Sequence, residues 1–130
     1  MKGTLRTRRQ FQCVYENGRK AVGDCCVVYA YRPRPEEIAT VGNCAHGVVA
    51  SKKVGNAVRR NRAKRLLREA YRALSMRLER PLWLVLVARR TLSDSGVITE
   101  DLIEEMRELF ARLDLYGADV RDLDNGEFPC

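Results

Sequence analysis

The chain has 130 residues, of which 45% are hydrophobic, and this predicts a single domain with one modest core. Lys and Arg number 24 against 17 Asp and Glu, giving a net charge of +7, which favours a polyanionic partner. No apolar run approaches the roughly 20 residues that span a bilayer, and the first residues lack the apolar core of a signal peptide, so no membrane role is expected. The five cysteines form an odd set without a CxxC pair, which is typical of a reduced, cytoplasmic protein.

The first predicted element is a short amphipathic helix over residues 8–16. Phe11, Val14 and Tyr15 fall on one helical face within this segment. The Asn17-Gly18 pair follows, and glycine readily adopts the left-handed conformation that stops a helix. We therefore expect this helix to end near residue 17.

Two strands are predicted next, separated by a loop. Residues 25–31 are rich in β-branched and aromatic side chains and alternate between two faces, as a strand does. Residues 32–37 contain two prolines, which lack an amide donor and restrict the residue before them, so this segment predicts a surface loop. Residues 47–51 predict a shorter strand, whose start is left open by the stretch at 43–46.

The longest predicted helix runs from residue 56 to about residue 80. Its apolar side chains recur at helical spacing: Ala63, Leu66, Leu67, Ala70, Leu74 and Leu78. The opposite face collects basic and polar side chains, and residues 51–80 carry a net charge of +9 while the rest of the chain carries −2. This concentration predicts a surface that binds phosphates. The alternative is a solvated basic helix face, although an ordinary soluble surface mixes its charges.

The remaining elements are a buried strand, a final helix and a tail. Residues 82–88 form an unbroken apolar run of strand length. Residues 99–113 place apolar side chains on one helical face and several carboxylates on the other. Residues 117–130 predict a loose tail, so that the domain spans residues 1–116.

Residues 51–69 contain the most informative motif of the chain. They read SKKVGNAVRRNRAKRLLRE and resemble the signature of bacterial ribonuclease P proteins, SKKxGNAVxRNRxKRxxRE, at nearly every position. The order of predicted elements is also similar to that family over roughly residues 5–113. The resemblance implies an α+β two-layer sandwich with a four-stranded sheet and a long basic helix, like domain 2 of ribosomal protein S5. It further implies a left-handed crossover through that helix, against the usual right-handed rule.

The resemblance also implies a function. Family members are protein subunits of ribonuclease P, which bind the catalytic RNA and the precursor-tRNA 5′ leader and promote endonucleolytic removal of the leader. The holoenzyme is the endoribonuclease, its RNA subunit carries catalysis and the Mg²⁺ ions, and the protein alone binds no cofactor. The partners are ribonuclease P RNA and precursor tRNA. The predicted RNA-binding residues are Lys52, Lys53, Asn56, Arg59, Arg60, Asn61, Arg62, Lys64, Arg65, Arg68 and Arg72.

Aromatic side chains provide a second candidate surface. From the residues alone, core packing is favoured for Phe11, whereas Tyr15 and Tyr29 fit a core or a platform for unpaired bases equally well. The resemblance favours a platform for all three, because the family holds the single-stranded leader between the sheet and the first helix. Tyr15 stands where phenylalanine is common, and this keeps the stacking ring.

Other functions match the sequence less well. A general RNA-binding or ribosome-associated protein would share the basic helix without needing the signature, and a DNA-binding module would carry base-edge readers. A nuclease acting alone needs carboxylates that converge in a pocket, whereas those of residues 99–113 have the spacing of a solvated helix face. Cys44 and His46 are too few ligands for a structural zinc, and the adjacent Cys25 and Cys26 are assigned no chemistry.

Overall fold

The computed structural model describes residues 3–94 and 96–116. The strands are β1 (Gly3–Thr4), β2 (Arg19–Val22), β3 (Cys26–Tyr31), β4 (Cys44–Val49) and β5 (Leu82–Ala88). The helices are α1 (Arg8–Asn17), α2 (Pro35–Val41), α3 (Ala57–Leu74), α4 (Arg90–Asp94) and α5 (Thr99–Arg112). Two short 3-10 turns, Lys52–Val54 and Ser75–Arg77, lie just before and just after α3.

The strands form one mixed sheet in the order β1-β4-β5-β3-β2. β4 runs parallel to both β1 and β5, while β3 is antiparallel to β5 and to β2. α3 joins the adjacent parallel strands β4 and β5, and is thus the helix of a crossover connection. The predicted α+β fold, with its four-stranded sheet and long basic helix, is confirmed, and the two-residue β1 adds to one edge. The left hand of the crossover stays a prediction.

α3 and α5 cover one face of the sheet and form the main core with it. Alternate side chains of β3 point into this core, so that Cys26, Val28 and Ala30 are buried. Leu67 of α3 and Phe110 of α5 are fully buried against them. Since α3 buries its apolar stripe here, its basic side chains are directed away from the sheet.

A smaller core lies under α1, on the opposite face of the sheet. α1 begins with a capping box in which the Thr7 hydroxyl accepts from the Gln10 amide at 3.2 Å. Val14 of α1 is buried against Trp83 and Val85 of β5. α1 covers this face only in part, because Val27, Tyr29 and Tyr31 of β3 all remain half-buried. A partly exposed surface is therefore left beside α1.

The loop predicted over residues 32–37 is wrong from Pro35 onward, where α2 begins. Pro35 lies in the first helical turn, where its missing amide donor has no helical acceptor to lose and its fixed φ suits the helix. Glu36 and Glu37 follow and place negative charge at the positive end of the helix dipole. The second proline is therefore a helix start rather than a breaker.

Other boundaries also differ from the predictions. β4 begins at Cys44, three residues before the predicted strand, and α3 ends at Leu74, well before residue 80. β2 has no sequence signal, since Ala21 alone of its four residues is buried and no alternating pattern results. The predicted loose tail at 117–130 lies outside the described residues.

Candidate nucleic-acid interface

The N-terminal end of α3 is held in place by a specific local structure. Ser51 Oγ accepts from the Lys53 amide at 3.3 Å and starts the 3-10 turn. Gly55 follows with φ of +143°, a left-handed conformation that side-chain-bearing residues rarely adopt. Asn56 then caps α3, since its Oδ1 accepts from the Arg59 amide at 3.0 Å. These hydrogen bonds and the Gly55 turn fix where α3 begins and how it is oriented relative to the preceding residues.

Most of the predicted RNA-binding residues share one exposed surface on and just before α3, which we call the basic face. Its exposed members are Lys52, Lys53, Asn56, Arg59, Asn61, Arg62, Arg65, Arg68 and Arg72. The structure places the two others, Arg60 and Lys64, in half-buried positions. Within the described residues, none of these side chains forms a salt bridge. The basic face therefore carries positive charge that no described carboxylate neutralises.

Arg60 differs from its neighbours on α3. Its Nε is buried and has no hydrogen-bond partner among the described residues. A buried guanidinium donor without an acceptor is destabilising by about 1–3 kcal/mol.

A small pocket lies beside the C-terminal half of α3. It has a volume of about 190 Å³ and is lined by Thr4, His46, Arg68, Tyr71 and Arg72. The ring of His46 stacks on that of Tyr71, with centroids 4.2 Å apart. Two guanidinium groups of the basic face therefore reach the β1 edge of the sheet, far along α3 from its capped start.

The predicted aromatic residues lie on the opposite face of the sheet, between α1 and β3. The rings of Tyr15 and Tyr29 meet edge to face, with centroids 4.8 Å apart and planes at 77°. Tyr15 is 39% exposed and Tyr29 is half-buried. Burial, and to a smaller extent the neighbouring Tyr29, raise the pKa of Tyr15, so the Tyr15 phenol stays neutral at physiological pH. We call the surface of Phe11, Tyr15 and Tyr29 the aromatic groove.

Phe11 contributes to both the groove and the core beneath it. Its ring lies against Gly47 of β4, where a Cβ would be 2.5 Å from Phe11 Cζ. It is half-buried and packs on the small core that contains Leu5 and Val14. The absence of a side chain at Gly47 therefore allows α1 to approach the sheet closely at this point.

Lys20 is a groove residue that the sequence reasoning missed. It pairs with Tyr29 in the register of β2 and β3, and its Nζ lies 6.0 Å from the centroid of the Tyr29 ring. A cation there can meet the phosphate of a base that stacks on the ring. In the sequence, Lys20 is only a basic side chain in a short segment next to a turn. It can be recognised as a groove residue only once β2 is known to pair with β3.

Tyr31 lies on the same strand face as Tyr29 but has other contacts. Its hydroxyl donates to Glu37 Oε1 at 2.6 Å, and its ring centroid lies 6.0 Å from that of Trp83. Burial and the Glu37 hydrogen bond raise the pKa of Tyr31. Its ring is thus fixed at one end of the aromatic groove.

The carboxylates of α5 lie at the protein surface and against the residues at the start of β3. Several line an open surface pocket of about 390 Å³, and Glu105 accepts from the amides of Cys25 and Cys26 at 2.9 and 3.1 Å. Across residues 3–94 and 96–116, no group of three or more His, Cys, Asp and Glu side chains is placed to hold a metal ion. In the same residues, no helix is both long enough and apolar enough to cross a membrane.

Known proteins with similar sequences and structures agree on one family. Residues 1–114 match the family Ribonuclease P. The ribonuclease P protein component of Symbiobacterium thermophilum is 36% identical over 111 residues, which cover 85% of this chain and 90% of that protein. That of Bacillus velezensis is 32% identical over 113 residues, covering 86% and 90%.

Solved structures agree with this result. The RNase P protein from Thermotoga maritima has a TM-score of 0.70 at 26% identity, covering 84% of this chain and 96% of that one. The Staphylococcus aureus RNase P protein has the same fold, with a TM-score of 0.71 at 22% identity, covering 88% and 97%. The chain belongs to the ribonuclease P protein family.

Proposed function

We propose that this chain is the protein subunit of ribonuclease P and acts with a catalytic RNA to remove the 5′ leader of precursor tRNA. One observation carries the proposal. The unneutralised basic face of α3 lies on one side of the sheet, while the aromatic groove opens on the other. Such a protein has separate surfaces for a folded RNA and for a single strand.

The basic face suits a folded RNA because it offers charge without a means of reading bases. Arginine presents a planar fork of donors that can engage phosphate oxygens in pairs, and lysine adds a mobile point charge. Contacts to phosphates fix position and orientation but carry no direct sequence information. We assign the basic face to the ribonuclease P RNA and to adjoining phosphates of the precursor tRNA.

The aromatic groove suits an unpaired strand. A base can stack on an aromatic face whatever its identity, and each stacked base contributes about 1–3 kcal/mol to binding. Tyr15 is exposed enough to take part, and Lys20 stands beside Tyr29 to meet a phosphate. Sequence-tolerant binding is what a subunit needs when it must accept many different leaders.

In this proposal the protein binds and orients the RNAs, and the complex as a whole catalyses the reaction. Hydrolysis of the phosphodiester leaves a 5′-phosphate on the mature tRNA and a 3′-hydroxyl on the leader. Mg²⁺ held mainly by the RNA subunit supplies the charge stabilisation for this step. The chain's own role is to hold the leader and to neutralise RNA phosphates. We expect the complex to act in the cytoplasm.

Reconstitution with a bacterial ribonuclease P RNA tests the proposal. Cleavage of precursor tRNA is measured at low Mg²⁺ for the complex, the protein alone and the RNA alone. We expect stimulation in the complex, weakened by the double substitution Arg62→Ala and Arg65→Ala and unaffected by Arg107→Ala, an exposed arginine on α5. If the protein binds RNA but gives no stimulation, the proposal fails and a general RNA-binding or ribosome-associated protein remains.

A further inference from the structure

The carboxylate of Glu37, to which the sequence assigned no role, lies where three elements meet. Its Oε1 accepts from the Tyr31 hydroxyl at 2.6 Å and from the Arg34 amide at 2.7 Å. Its Oε2 accepts from the Cys13 thiol at 3.4 Å. These donors belong to β3, to the start of α2 and to α1. One half-buried side chain therefore links α1 to the sheet through polar contacts.

The bonded state of Glu37 is the ionised one. Burial opposes its charge, but hydrogen bonds from the Arg34 amide and the Tyr31 hydroxyl outweigh this and lower the pKa of Glu37. The Arg34 guanidinium stands 3.6 Å away but its side chain is 69% exposed, so that ion pair is weakened by solvent. The hydrogen bonds, rather than the surface ion pair, hold the carboxylate in place.

The opposite end of α2 is also attached to the sheet. Trp83 Nε1 donates to the Gly42 carbonyl at 3.0 Å, and Gly42 caps the C-terminus of α2. Because α2 buries no side chain fully, these polar contacts at its two ends are its main directional attachments. α2 is thus held across the Tyr31 end of the aromatic groove.

Each of the two side-chain donors to Glu37 lies two residues along the chain from a groove residue of the same element. Cys13 precedes Tyr15 by two residues on α1, and Tyr31 follows Tyr29 by two residues on the same face of β3. The apolar contacts under α1 are non-directional and permit small shifts of the helix. Hydrogen bonds from both sides to one carboxylate fix the spacing and rotation that apolar packing leaves adjustable.

We propose that Glu37 is a positioning residue of the aromatic groove, holding α1 and β3 at the spacing that sets Tyr15 against Tyr29. This inference rests on the proposed function, since it assigns Glu37 a role in binding the leader. Glu37 itself does not touch the leader. It acts through Cys13 and Tyr31.

The test compares Glu37→Ala with Glu36→Ala in the reconstituted holoenzyme. Glu36 is the matched control, because it carries the same charge in the same helical turn but is exposed, and the Tyr31 and Cys13 hydrogen bonds go to Glu37. KM and kcat are measured for precursor tRNA with a long leader and with a single-nucleotide leader. We expect Glu37→Ala to raise KM for the long leader about 3- to 10-fold, the size of one or two lost hydrogen bonds. The kcat values and the short-leader KM remain unchanged, as do all parameters of Glu36→Ala.

Two further variants separate positioning from general stability. Tyr31→Phe keeps the ring and removes only the hydroxyl, and it should raise the long-leader KM in the same direction. Glu37→Gln keeps one acceptor oxygen and should recover part of the loss. An equal rise in KM for both leaders, a fall in kcat, or no effect of Glu37→Ala would each overturn the inference.

A measurement without substrate keeps the inference apart from the proposed function. Proton NMR of the free protein detects contacts between the rings of Tyr15 and Tyr29, whose centroids lie 4.8 Å apart. We expect these contacts to weaken in Glu37→Ala and to persist in Glu36→Ala. If they persist in both, the positioning role is wrong. If the unsubstituted holoenzyme does not distinguish long from short leaders, the proposed groove function fails while the NMR result still decides the role of Glu37.

Discussion

Replacement of Tyr15 by alanine tests the aromatic groove most directly. Tyr15 is 39% exposed, and its ring meets that of Tyr29 edge to face. Such aromatic pairs contribute about 0.5–1.5 kcal/mol beyond area burial, so Tyr15→Ala should leave the domain folded with a modest loss of stability. The effect on leader binding should be larger. A base stacked on an aromatic side chain contributes about 1–3 kcal/mol, which corresponds to an affinity loss of about 5- to 150-fold.

The assay measures Kd of the holoenzyme for precursor tRNA and for mature tRNA, which lacks the leader. We expect Tyr15→Ala to weaken precursor binding by that factor and to leave mature tRNA binding unchanged. Tyr15→Phe is the matched control, because it keeps the ring and removes only the hydroxyl, and we expect it to bind like the original protein. An equal loss for both RNAs, or no loss for precursor, would refute stacking at Tyr15.

Three other predictions concern the basic segment and the cysteines. Asn56→Ala removes the α3 cap and should lower the free energy of unfolding by about 1 kcal/mol in urea denaturation, whereas Asn61→Ala, exposed on the same helix, should change it by less than about 0.5 kcal/mol. Arg65→Ala should reduce the slope of log affinity against log salt for RNA by about 0.7–0.9, and an unchanged slope would exclude a phosphate contact. Burial and the nearby charge of Glu105 raise the pKa of Cys25 from 9.0 to about 11. Its thiolate fraction at pH 8 is therefore about 100-fold lower than that of an ordinary thiol, and its alkylation rate, measured by mass spectrometry, should keep rising above pH 9.

The elements that could be predicted from the sequence are those whose pattern is set by one large buried face. α3 and α5 each present an apolar stripe to the sheet, and β5 is buried on both faces, so periodicity and apolar content identify them. The basic face follows from the same stripe, because the side of α3 opposite the buried residues must be exposed. The positive charge of this face can be predicted from the sequence without knowing which elements pack against α3.

The elements that could not be predicted depend on neighbours distant in the sequence. β2 buries Ala21 alone and exists because it pairs with β3 along its full length. α2 has a favourable N-terminal turn but no fully buried residue, so it offers no apolar stripe to detect. Pro33 and Pro35 led to the prediction of a loop, although Pro35 is compatible with the first turn of a helix.

The aromatic groove could not be predicted from the residues alone for the same reason, since it depends on neighbours distant in the chain. Whether Tyr15 packs in a core or lies at a surface depends on how closely α1 approaches the sheet, and that approach depends on the missing side chain at Gly47 under Phe11. Phe11 was predicted from the residues alone to favour the core, and it does contribute to one while bordering the groove. Whether an aromatic ring is buried or exposed therefore depends on how closely the backbone opposite it approaches.

Two glutamates show the same dependence on residues that are distant in the sequence. Glu37 and Glu105 both look in the sequence like solvated carboxylates on amphipathic or turn segments, yet each accepts hydrogen bonds from donors far along the chain. Cys13 lies 24 residues from Glu37, and Cys25 lies 80 residues from Glu105. Because a partly buried carboxylate is stable only where donors surround it, the sequence cannot distinguish these two from exposed neighbours such as Glu36 and Glu104. A functional screen that substituted only the basic and aromatic residues would therefore leave Glu37 untested.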